Sequence, residues 1–155
     1  MASDVWATIA AEAASESSLW AGALRPADER EAAPVFSPLA DDYHALGLET
    51  IYEGYLLHYG RPRLFAPPDA DVALLLGDYL YAHGLVRIAA TGEVDAVAAL
   101  ADLISTCANL RAEGAPGDGE AWAGTARRLG GDPEAAEVER ALAAHAVRMS
   151  LNGVL

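Results

Sequence analysis

Alanine and leucine recur at helical spacing along most of this chain, and alternating runs of β-branched residues are missing. A period near 3.6 rather than 2 permits helices packed on helices, so the expected fold class is all-α, a helical bundle. At 155 residues the chain can bury a core and is short enough for one domain, residues 1–155. Hydrophobic residues make up 53% and charged residues 21%, which excludes disorder as the overall state.

Prolines, glycines and capping residues set the boundaries. Ser3 reads as the cap of a first helix ending near Ala23. Residues 25–37 are polar and contain Pro26 and Pro34, the pattern of a linker between that helix and the main bundle. Ser37-Pro38 reads as an N-cap with proline at the first helical position, opening a second helix to about Tyr59 with Gly60 as its stop. Residues 61–69 hold Pro62, Pro67 and Pro68 and are excluded from helix. A third helix spans Ala70 to about Thr91, closed by Gly92, and a fourth runs from Glu93 to Glu113. The tight turn between them predicts a central antiparallel hairpin. Residues 115–119 read as a loop and Trp122–Leu129 as a short helix, and Asp132-Pro133 caps a last helix to about Leu151. The linker and the tail after Asn152 are expected to be the least ordered parts.

Charge narrows the chemistry. Twenty-three acidic residues stand against ten basic ones, a net charge of −13, so there is no basic footprint for nucleic acid or an anionic membrane. All ten basic residues are arginine. Without lysine there is no Schiff-base chemistry and no Walker-type phosphate loop. The single Cys107 excludes an internal disulfide framework, and its apolar neighbours Ile104, Ala108 and Leu110 predict a buried, inert thiol. Residues 1–11 carry Asp4 and no cation, unlike a leader, and the apolar run at 72–76 is stopped by Gly77 and Asp78. A cytoplasmic protein with no membrane span is the expectation.

On the second helix, Asp42, Glu49 and Glu53 fall in one stripe beside an apolar arc that includes Leu48, Tyr52 and Leu56. Carboxylates at i and i+4 could hold Mg²⁺ on a phosphate substrate. The plainer reading is a solvated acidic edge. On the third helix Leu74, Leu75, Tyr81, Leu85, Val86 and Ile88 spread over a wide arc with Asp78 near its middle, which predicts a buried helix and a buried, partnered Asp78. His44, His58, His83 and His145 form no HxxxH or HExxH set, so no metal site is expected of them.

Residues 74–84, LLLGDYLYAHG, resemble the LLGDYLLARA helix of the trans-prenyl diphosphate synthases, all-α enzymes of the isoprenoid synthase fold. The surrounding order is similar too. Residues 58–62, HYGRP, resemble the family's Arg-Arg-Gly-x-Pro turn, and the family's spacing places its first aspartate-rich motif, DDxxD, at residues 49–53, ETIYE. Two acids remain there, Glu49 and Glu53, and of the positive charge only Arg61 remains. The resemblance covers roughly residues 39–113 and implies part of the isoprenoid synthase fold. Family catalysis, as it implies, needs two aspartate-rich motifs, Mg²⁺, lysines and arginines; here the first motif is degraded and the second is missing. The expectation is therefore a non-catalytic interaction protein or small subunit, with no catalytic residue and no cofactor. It would be a homo-oligomer or a heteromer with a catalytic prenyl diphosphate synthase. Two alternatives stay open: a degenerate prenyltransferase holding an isoprenoid diphosphate through Glu49, Glu53 and Arg61, with Mg²⁺, or a bundle binding apolar ligands. Candidate ligand-binding residues are Glu49, Glu53, Arg61 and Asp78.

Overall fold

Two glycine pairs explain which helices pack most closely. In a computed structural model that describes residues 4–152, Ala45–Tyr59 (α3) lies antiparallel against Ala70–Ala89 (α4). Gly47 faces Gly84 and Gly54 faces Gly77. A Cβ at Gly54 would stand 2.8 Å from the Gly77 carbonyl oxygen, and one at Gly84 would stand 3.2 Å from that of Gly47. Backbones this close leave no room for larger side chains, so the glycines set the crossing.

The remaining helices are Val5–Glu16 (α1), Ser18–Ala23 (α2), Val94–Glu113 (α5), Asp118–Arg128 (α6) and Ala135–Asn152 (α7). Among the described residues the only β contact is one isolated antiparallel bridge, Leu24 to Phe65. The chain is an all-α bundle. Two cores flank α3, which is buried at every position from Gly47 to Leu57. One core joins α3 to α5, α6, α7 and the 35–40 segment through Phe36, Tyr52, Tyr55, Leu100 and Trp122. The other joins α3 to α1 and α4 through Ile9, Leu57, Leu64, Phe65 and Leu76.

Several expectations are corrected. The first helix is two: Ser17 adopts an extended conformation, and its hydroxyl accepts from the Leu19 N–H at 3.0 Å, capping a second helix. Ser3 lies outside the described residues, and Asp4 caps α1 by accepting from the Ala7 N–H. Residues 25–37 are no loose linker. The Arg25 N–H donates to the Leu64 carbonyl and the Glu31 N–H to that of Arg63, while Val35 and Phe36 are buried. The expected disorder of the tail after Asn152 concerns residues outside those described. Ser37-Pro38 opens only a 3-10 turn, Ser37–Leu39. A second 3-10 turn, Asp42–His44, precedes α3, so Asp42 is not on the helix that carries Glu49 and Glu53.

The stops are where backbone chemistry requires them. Gly60 ends α3, and Gly92 and Gly114 take φ of +84° and +64° after α4 and α5. Asp69 caps α4, its carboxylate accepting from the Val72 N–H at 2.9 Å. Residues 118–119, read as loop, already belong to α6. The turn at 90–93 folds α5 back on α4 as expected, but α3, not this hairpin, is central. The reason is that α4 turns its glycine face and Val72, Leu76, Leu80 and Ile88 inward, leaving Leu74, Leu75 and Val86 exposed. By length and composition α4 is apolar enough to cross a bilayer, a property it shares with core helices of many folds.

Candidate functional site

Glu49 and Glu53 point from one face of α3 onto the same cation, Arg63, three residues beyond the helix stop. Arg63 is fully buried, in the proline-rich segment that cannot be helix. Its Nη1 donates to Glu49 Oε1 at 2.5 Å and its Nε to Glu53 Oε1 at 3.0 Å. Glu53 Oε2 accepts two backbone N–H groups, from Arg63 at 2.9 Å and Leu64 at 2.8 Å. Glu49 Oε2 accepts the Ser37 hydroxyl at 2.6 Å, and Arg63 Nη1 also donates to the Ala33 carbonyl at 2.9 Å. The guanidinium lies 4.7 Å from the centre of the Trp6 ring and 5.0 Å from that of Tyr52. Burial opposes the charge on Arg63, and the adjacent Glu49 and Glu53 carboxylates more than offset it, so its pKa is raised.

This triad is neither a solvated acidic edge nor an open cation site. All four carboxylate oxygens are engaged within the chain, and both carboxylates are buried. Among the described residues no group of three or more His, Cys, Asp or Glu side chains is placed to hold a metal ion. Charge neutralisation explains why two acids tolerate burial, and the backbone N–H donors supply what a single guanidinium cannot.

The other two candidate residues lie apart from the triad. The Asp78 side chain is 62% exposed, which corrects the expected burial; it pairs with His58 Nε2 at 3.2 Å. Arg61 is half-exposed, its Nε 3.8 Å from Glu31 Oε2.

Sequence reading missed a second polar cluster. His145 on α7 accepts or donates at both ring nitrogens, with the Tyr52 hydroxyl at 2.7 Å from Nδ1 and Asp118 Oδ2 at 3.0 Å from Nε2. The Tyr55 hydroxyl donates to the same Asp118 oxygen at 2.7 Å. The hydrogen bond from His145, opposed by burial and aided by that from Tyr55, holds the Asp118 carboxyl down at about 2. Burial, first of all, pushes both tyrosines well above the ordinary phenol range. The cluster is walled by Phe36 and Trp122, whose rings stack 5.6 Å apart. It joins α3, α6 and α7, and it has the character of a structural tie. Cys107 is buried as expected, and burial pushes its thiol up to about 11.

An open cavity of about 800 Å³ lies where the end of α3, the 61–69 segment and the first turns of α4 meet. Leu57, Phe65 and Leu74 supply apolar wall, and Arg25 and Arg61 supply positive charge. Its volume is in the range of small-molecule sites. Neither Arg25 nor the groove was legible in the sequence, because the groove exists only where Arg25 and the 61–66 strand-like stretch lie side by side.

Compared with known proteins, the chain matches no family model, no curated protein and no solved structure.

Proposed function

We propose that this chain is a non-catalytic, isoprenoid-synthase-like protein that acts as an interaction or small subunit of a prenyl diphosphate synthase. The observation that carries the reading is the Glu49–Arg63–Glu53 triad. The acids that stand where the resembling family places its first metal-binding motif are occupied by a buried guanidinium, with Ser37 and two backbone N–H groups taking the remaining oxygens. A diphosphate bridged by Mg²⁺ needs carboxylate oxygens free to coordinate. Freeing these would leave Arg63 buried without its counter-charges, which costs several kcal/mol. The same residues that would have bound substrate thus hold the 25–37 and 61–66 segments onto α3.

An interaction role draws further support from α4 and the start of α5. Leu74, Leu75, Val86 and Val94 are each more than half exposed. Large exposed apolar side chains on adjoining helices favour association with another protein. The resemblance points to a synthase as that protein, since the segment resembling its family includes α4.

The test is purification of the chain from its native cell, with any associated protein identified, beside sedimentation and prenyltransferase assays of the chain alone. A co-purifying synthase, and no elongation by the isolated chain with Mg²⁺, is the expected result. Elongation of isoprenoid diphosphates by a monomer overturns the proposal.

A further inference from the structure

Arg25, Arg61 and Arg148 gather around one carboxylate, Glu31. Arg148 takes that carboxylate in a fork, Nη2 to Oε1 at 2.7 Å and Nη1 to Oε2 at 3.2 Å. This hydrogen bonding, opposed by burial and reinforced by the charges of Arg148, Arg61 and Arg25, holds the Glu31 carboxyl below its ordinary value. Arg148 therefore consumes Glu31, and the other two guanidinium groups are left without a carboxylate at hydrogen-bond distance. Arg61 Nε stands 3.8 Å from Glu31 Oε2, an ion pair without a hydrogen bond. Arg25 donates from Nη2 to the Pro62 carbonyl at 3.2 Å, and its Nε is buried without a partner.

Both of these under-paired arginines line the groove, together with the apolar Leu57, Phe65 and Leu74. Guanidinium groups whose nearest carboxylate lies beyond hydrogen-bond distance, beside an apolar wall, are suited to a molecule that joins a hydrocarbon body to an anionic head. The size of the head's charge is limited by the surroundings. Asp69 and Asp71 also line the groove. Together they oppose a dianion and tolerate a monoanion. We propose that this groove binds a single-chain amphiphile with a carboxylate head, the head held by Arg25 and Arg61 and the chain lying along the Leu57–Phe65–Leu74 wall. The proposal goes beyond the subunit role: it needs no partner, and of the exposed α4–α5 side chains named above it uses only Leu74.

Calorimetric titration of the full chain with decanoate, 1-decanol, decyl phosphate and acetate tests it. Decanoate is expected to bind saturably below about 1 mM, at least about tenfold tighter than decanol or acetate and no weaker than decyl phosphate. Arg25→Gln and Arg61→Gln are each expected to weaken decanoate by about tenfold, and Arg127→Gln, an equal charge change at an exposed position of α6, to leave it unchanged. Arg61 is exposed enough that its variant folds even if that of Arg25 does not. Ala66→Trp, which fills the groove and keeps both arginines, is expected to abolish binding. Equal binding of decanol and decanoate overturns the proposal, as does decyl phosphate binding tenfold tighter, loss with Arg127→Gln equal to that with Arg61→Gln, or no saturable binding of decanoate at 1 mM.

Discussion

Gly54 and Gly77 face each other across α3 and α4 so closely that a Cβ on Gly54 would stand 2.8 Å from the Gly77 carbonyl oxygen and 3.0 Å from the Tyr81 ring. The opposing atom is backbone and cannot move aside without parting the helices. Gly54→Ala is therefore expected to lower stability by about 1–3 kcal/mol despite the higher helix propensity of alanine. Gly22→Ala in α2, where nothing lies within 4 Å of the added Cβ, is the control and is expected to be neutral or stabilising by about 0.5–1 kcal/mol. Urea unfolding of the two variants measures both.

Arg63→Met removes the cation shared by two buried carboxylates. The variant is expected to lose about 3–5 kcal/mol, because Glu49 and Glu53 then face each other with only Ser37 and backbone donors. Arg63→Lys keeps the charge but cannot span both acids, and an intermediate loss is expected. Chemical denaturation ranks the three proteins; a methionine variant as stable as the lysine variant would contradict the role assigned to the charge.

Asp78→Ala is expected to change stability by less than about 0.5 kcal/mol, since the carboxylate is mostly exposed and its His58 contact is at the surface. A thermal melt decides. A loss of several degrees would restore a structural role to Asp78.

Acid stability carries the mark of Asp118. Its carboxyl titrates at about 2 in the folded chain against an ordinary 3.8, so its contribution is fully present above about pH 4 and is lost as the pH falls toward 2. The contribution is on the order of 2 kcal/mol. Asp118→Asn is expected to flatten the stability profile between those limits, read from denaturation midpoints at stepped pH.

Cys107, buried among apolar side chains with its thiol pushed up to about 11, is expected to resist a disulfide reagent at pH 8 until the chain unfolds. A stopped-flow trace with and without denaturant shows the difference.

Sequence by itself determined the helical class, the stops at Gly60 and Gly92, the end of the fourth long helix at Glu113, the exclusion of residues 61–69 from helix and the burial of Cys107. These follow from local properties: side-chain periodicity, the φ that glycine alone takes easily, and the N–H that proline lacks. Only the tertiary structure decided which face of each helix turns inward. The wide apolar arc of α4 could have buried Asp78, but the glycines at 77 and 84 let that helix approach α3 most closely on another side, and the closest approach won. The partner of Glu49 and Glu53 was equally out of reach of periodicity. Arg63 lies beyond the end of α3, in a segment without a repeating pattern, and reaches the acids because residues 23–31 and 63–66 pair and fold back over the helix. Charge pairing across a turn depends on where that turn packs, and packing is a property of the whole chain.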